Sequence, residues 1–223
     1  EEALDDFDEA IRLNPDFAQA YDNRGIAYRK LGQSEQAIEN HNAAILLAPQ
    51  FADTYNNRGL ARAELDQHEQ ATADFDQAIR LNPNLAQAYD NRGTAYNNME
   101  QPQRAIEDHG AAILLAPGFS QAYFNRGAVY LGHGLPERAL EDFDEAIRLN
   151  PQYTEAYANR GFANLNLGQV EAAIADYGEA IRLDSRHADA YAGRAMAYAA
   201  LGMDSEADED VKRAEELGVD SAA

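Results

Sequence analysis

The chain of 223 residues contains no cysteine, which rules out disulfides, a thiol nucleophile and any cysteine-ligated zinc. It has no tryptophan and only two lysines beside sixteen arginines. Against these stand 39 acidic residues, a net charge of −21, so nucleic acid and anionic membrane surfaces are repelled and basic partners are favoured. The same charge also serves simply to keep a long surface soluble. No apolar run approaches the 18 residues or so that cross a bilayer. No secretory leader is visible in the span given, which favours the cytoplasm, although the sequence opens without methionine. Glycine-rich phosphate loops are absent, so no cofactor is implied. Ser34, Ser120, Ser185, Ser205 and Ser221 have no His and Asp at motif-like spacing, and no catalytic constellation is found.

What the chain does contain is a period. Tyr-x-Asn-Arg-Gly begins at Tyr21, Tyr55, Tyr89, Tyr123 and Tyr157, a constant interval of thirty-four positions, and a sixth copy decays to Tyr191–Ala192–Gly193–Arg194–Ala195. Such a repeat sets the architecture before any residue propensity does. Within one unit, Ala18, Tyr21, Gly25, Tyr28 and Leu31 follow the three-and-four spacing of a helix face. Gly32–Gln33 interrupts it, and a second helix is expected from Ser34 to Leu47, stopped by Pro49. Each unit is thus two antiparallel helices of about 14 residues, each roughly 21 Å long. Glycine inside a helix costs about 1 kcal/mol relative to alanine. Its return at Gly25, Gly59, Gly93, Gly127 and Gly161, with Ala37, Ala71, Ala105, Ala139, Ala173 and Ala207 opposite, predicts a close helix crossing.

These residues resemble the tetratricopeptide repeat family over essentially the whole chain, with Tyr89, Arg92, Gly93, Tyr96, Ala105, His109 and Pro117 as one copy of its pattern. The departures are Tyr for Trp, Arg for Leu, and His41 and His109 for Phe. The resemblance implies an all-α, right-handed α-solenoid superhelix of antiparallel helix pairs. The array is divided as a half repeat 1–17 and full repeats 18–51, 52–85, 86–119, 120–153, 154–187 and 188–221. The half repeat leaves Phe7 and its neighbours without a first helix, which suggests a cut from a longer protein or end-to-end pairing of chains. Asp208 and Glu215 at slots held earlier by isoleucine give the last helix the polar face that ends an array. His41–Pro49 and His109–Pro117 resemble each other more than Phe75–Pro83, so a pair of repeats was duplicated, with Leu46 and Leu114 where other repeats carry arginine.

By that resemblance the first helix of each unit lines a concave groove that holds an extended or helical segment of a partner. The groove slots are those two before each Tyr, those flanking the Asn, and those one and four after each Gly. Asn23, Asn57, Asn91, Asn125 and Asn159 form a candidate ladder whose amides complement a peptide backbone. It is similar to the asparagine ladder in glycosyltransferase repeat arms of this family; the other reading is that these amides bridge neighbouring repeats. Asp22, Asp53 and Asp90 supply an acidic front for Lys or Arg. They occupy, with Gln19 and Gln87, the slots where co-chaperone members clamp a carboxylate, which they would repel. Phe124, Leu131, Phe162 and Leu165, with Ala128 and Met196, supply an apolar rear.

Arg24 through Arg194 are expected to form structural pairs with an Asp that recurs at Asp6, Asp74, Asp108, Asp142, Asp176 and Asp210 (Asn40 is the exception), a slot sixteen positions after one Arg and eighteen before the next, on a facing second helix. His41 and His109 are expected as buried packing residues. The functional expectation is a protein–protein interaction scaffold, not an enzyme. The runner-up is the targeting arm of a larger enzyme, and a third reading is self-association through the N-terminal half repeat.

Overall fold

The sequence period reappears in the backbone as a row of left-handed turns. Gly32, Gly134, Gly168 and Gly202 have φ between 70° and 73°, and the same slot at Asp66 and Glu100 is forced to φ 56° and 57° without glycine's freedom. Each turn joins a first helix to a second in the computed structural model, which describes residues 2–218; the end of the last repeat, with Ser221, lies outside them.

A single helix, α1 (Glu2–Leu13), precedes the pairs. The pairs are α2 (Ala18–Lys30) with α3 (Ser34–Leu47), α4 (Ala52–Ala63) with α5 (His68–Leu81), and α6 (Ala86–Asn98) with α7 (Pro102–Leu115). They continue as α8 (Ser120–Gly132) with α9 (Pro136–Leu149), α10 (Thr154–Asn166) with α11 (Val170–Leu183), and α12 (Ala188–Ala200) with α13 (Asp204–Glu216). Between pairs, Asn14, Asn82, Asn150 and Asp184 accept a hydrogen bond from the backbone N–H two residues on, turning the chain at each proline or serine.

The chain divides into two compact units, Glu1–Pro117 and Gly118–Ala223. In the first, α2 touches α4 and α4 touches α6, whereas α3, α5 and α7 touch only first helices. In the second, α8 touches α10 and α10 touches α12, and again no second helix touches another. First helices therefore form the continuous inner layer of each unit and second helices the outer one. This is an all-α solenoid of helical hairpins.

The predicted close crossing is present. Ala37, Ala71, Ala105, Ala139 and Ala173 are fully buried. A Cβ on Gly25 would stand 2.7 Å from the His41 ring, on Gly59 2.5 Å from Phe75, and on Gly127 2.8 Å from Phe143. Each of the first five hairpins thus closes by seating one ring on one glycine.

The irregular sixth copy has the same cause. Tyr177 fills the ring slot with a larger side chain, and a Cβ on Gly193 would lie 2.4 Å from its ring, so the asparagine of that slot gives way to glycine. In the leading half repeat, Phe7 and Ile11 are half-buried, with α1 packed on α2.

Candidate functional site

The repeated arginines fix the inner helices on which the site is built. Arg58, Arg92, Arg126, Arg160 and Arg194 each grip the Asp of the sequence expectation with Nε and Nη2, at 2.5 to 3.2 Å. Arg24, facing Asn40, donates Nε to its amide oxygen at 2.7 Å. Each guanidinium also lies over the Tyr three positions before it, 5.4 to 6.0 Å from the ring centre.

Sequence reasoning missed the third arm of the clasp. Nη1 reaches back to an oxygen on the preceding second helix: Arg24 to Asp8, Arg58 to Asn42, Arg92 to Asp76 and Arg160 to Asp144, at 2.5 to 2.7 Å. One guanidinium therefore ties its own hairpin to the one before it. Burial tends to lower the pKa of Arg92 and Arg160, but their two carboxylates outweigh it and hold both above the ordinary arginine value. The signal was legible, because Asp8, Asp76 and Asp144 recur at twice the repeat length.

Two of the three acidic candidates need correction. Asp22 and Asp90 are about 5% and 4% exposed, and each accepts a 2.7 Å hydrogen bond from Nδ1 of a buried histidine, His41 and His109. A carboxylate taken from water must be paired, and these are paired within the hairpin, so they are not free charges for a ligand. Asp53 is exposed, as expected. It lines, with Gln19, Phe51 and the edge of Asp22, a polar cavity of about 360 Å³ in the first unit.

The asparagines divide. Asn57 donates to Asp22 at 3.3 Å and Asn91 to Asn56 at 2.9 Å, so these two amides bridge successive hairpins. Asn23 accepts from Gln19 at 3.1 Å and Asn125 from Gln121 at 2.9 Å, each one turn earlier on its own helix. Asn159 lines a cavity.

That cavity, about 430 Å³ and open to solvent in the second unit, gathers three of the six apolar candidates. Phe124 of α8, Phe162 of α10 and Met196 of α12 converge on it from three successive inner helices, with Ala158, Ala192 and Gly193 between them. Phe162 and Met196 are exposed, 43% and 54%. Phe124 is half-buried and anchored by Phe143 and Tyr153, ring centres 5.9 and 4.8 Å away. Glu155, Asp189 and His187 also line it. His187 accepts at Nδ1 from the Ala190 N–H, which leaves its proton on Nε2.

Of the groove slots, those two before Tyr, just before the Asn and one after Gly appear in this cavity. Those four after Gly do not. Leu131 packs half-buried against the Phe143 cluster and Leu165 half-buried against the Tyr177 cluster. Tyr177, missed by the sequence reading, forms part of the wall. It is 3% exposed, and burial, with the neighbouring Asp176 carboxylate adding, pushes its pKa up to about 12. Leu46 and Leu114 on the outer layer of the first unit are more than 80% exposed.

Hairpins stacked through their first helices define the class as an α-solenoid of helix-pair repeats. Three tetratricopeptide-repeat family models match the chain, at residues 52–85 and 120–153, at 25–66 and 165–202, and at 7–39, 75–107 and 143–175. The chain belongs to the tetratricopeptide repeat proteins. Similar solved structures include PilF of Pseudomonas aeruginosa, with a TM-score of 0.81 at 19% identity over 90% of this chain and 91% of that one. MamA of Desulfovibrio magneticus RS-1 gives 0.66 at 22% identity over 76% and 96%. YrrB, described as a tetratricopeptide repeat protein with an unusual peptide-binding site, gives 0.62 at 23% identity over 82% and 95%. At these identities the likeness is one of fold. No curated protein matches the sequence.

Proposed function

We propose that this protein is an interaction scaffold whose hairpins form one array and whose inner helices hold a segment of a partner protein. The observation that carries the reading is the convergence of Phe124, Phe162 and Met196 with Asn159 on one open cavity. Exposed apolar side chains gathered from three helices are a cost in water unless something covers them. The cavity's size falls in the range of about 300–1,000 Å³ typical of ligand sites. Glu155 and Asp189 on this cavity, and Asp53 on that of the first unit, are not matched by any lysine or arginine among the lining residues. The preferred segment therefore carries an apolar anchor with basic neighbours, and Asn159 is placed to pair with its backbone. The peptide site described for YrrB on the same fold supports a peptide ligand.

The test is peptide display against the whole chain, followed by titration of selected peptides into Phe162→Ala and Met196→Ala variants. Both side chains are exposed, so the fold should survive. Binding should weaken at least fivefold in either variant, on the order of 1 kcal/mol for lost apolar contact, and should fall with added salt. Unchanged affinity in both variants would refute the site.

A further inference from the structure

The ring slot of the hairpins obeys a rule that one copy breaks. Where the slot holds histidine, the residue 19 positions earlier is an aspartate that takes its N–H, as Asp22 does for His41 and Asp90 for His109. Where it holds Phe75 or Phe143 there is no polar atom to satisfy. Tyr177 carries a hydroxyl, yet the corresponding earlier position holds Ala158, which offers nothing. Among the described residues the Tyr177 hydroxyl has no protein hydrogen-bond partner, and it is not sealed from solvent. The hydroxyl end of the ring lies against Gly193, where a Cβ would stand 2.7 Å from the oxygen, and both residues line the cavity of the second unit. A side chain only 3% exposed thus directs an unpaired hydroxyl into an apolar pocket. The pocket exists because Ala158, Ala192 and Gly193 are small at slots held by Asp22, Asn56 or Phe124 and by Asn23 or Asn57 elsewhere.

We infer that this cavity takes a tyrosine-type side chain from the partner segment, its phenol hydroxyl hydrogen-bonded to that of Tyr177. The inference rests on the peptide-scaffold reading for the source of the side chain, though not for the chemistry of the pocket. The aromatic walls Phe124 and Phe162, with the polarisable Met196, favour a flat aromatic body. The hydroxyl, open to the cavity, requires a new partner once a ligand displaces its water, because leaving it bare costs binding. A phenol supplies one hydroxyl that donates or accepts and leaves no second polar atom at the floor. An amide tip would bring additional N–H groups, and a carboxylate would meet Glu155 and Asp189. Sites that bind a ligand hydroxyl in this way discriminate against the analogue lacking it.

The probes are N-acetyl-tyrosinamide and N-acetyl-phenylalaninamide, titrated into the whole chain and followed by the NMR shifts of the Ala192 and Gly193 amides. The tyrosine probe should bind roughly two- to tenfold more tightly, the worth of one net hydrogen bond. The preference should vanish in Tyr177→Phe, which places in the slot the residue that Phe75 and Phe143 already show to fit. A Met196→Ala variant should weaken both probes together and leave the preference intact. Absence of binding by either probe, equal binding of the two, or a preference that survives Tyr177→Phe overturns the assignment. Probes that behave as expected while no displayed peptide binds would uphold the pocket and defeat the scaffold reading. Peptides that bind without regard to Tyr177→Phe would do the reverse.

Discussion

Replacing Arg92 by methionine removes the centre of a three-way clasp while keeping most of the aliphatic stem. Arg92 bonds Asp108 through two nitrogens at 2.7 Å and Asp76 through the third at 2.5 Å, between the rings of Tyr89 and Tyr96. The two carboxylates are not equivalent. The side chain of Asp76 is 41% exposed and regains water, so its share is at most about 1 kcal/mol. That of Asp108 is 10% exposed and would be left charged and unpaired beside α6, a defect that costs about 3–5 kcal/mol when complete. Since the Arg92 side chain is itself 18% exposed, the lower end applies, about 3 kcal/mol. For a chain of this size that lowers the melting temperature by roughly 6–12 °C.

Urea denaturation followed by circular dichroism and by tyrosine fluorescence measures the loss. Where the two transitions separate, as repeat arrays allow, hydrogen exchange in α5–α7 localises it. The double variant Arg92→Met/Asp108→Leu supplies the control, because an apolar pair of similar volume is often neutral where a lone charge is not. An unchanged melting temperature in the single variant would refute the clasp and return Arg92 to the ligand-contacting residues. A double variant no better than the single would refute the stranded-carboxylate account.

Three further outcomes follow from particular residues. Glu100→Gly relieves a non-glycine residue held at φ 57° and should raise stability by about 1 kcal/mol in the same urea assay, with no change in the circular dichroism spectrum. Gly178 stands where Asp76 and Asp144 serve other arginines, and a Cβ there lies 3.8 Å from Arg194 Nη1. Gly178→Asp should therefore exceed Gly178→Ala in melting temperature at low salt and lose that advantage at about 1 M salt, where the screening length is only about 3 Å. Tyr177 keeps its proton to about pH 12 in the folded chain and to about 10 in the unfolded one. The stability this gives is complete below about pH 10 and drains away as pH rises toward 12. Tyr177→Phe should flatten the fall of stability across that window, and an identical fall in both proteins would refute the assignment.

The sequence by itself determined the hairpin, its length and its family, because these depend on local spacing: a glycine, an alanine and a proline in register in most copies. It also pointed to the arginine–aspartate pairs, since an Asp at a constant remove from the Arg in all copies but the one with Asn40 is a geometric statement written in one dimension. Asp22 and Asp53, by contrast, look alike on paper, one acidic residue on each of two successive first helices. Only tertiary structure separates them, by setting the His41 ring against Asp22 and leaving Asp53 in water. Leu131 and Leu165 likewise read as groove residues by slot, and only the structure shows them half-buried against Phe143 and Tyr177. The asparagines read as one ladder, yet bridging neighbours at Asn57 and Asn91 and lining a cavity at Asn159 are decided by which side chains the adjacent repeat presents. Tyr177 carried no signal in the sequence, and only the fold brings Ala158 and Gly193 together with it on one cavity. Spacing within a repeat is a property of the chain, while burial is a property of what the next repeat brings up against it.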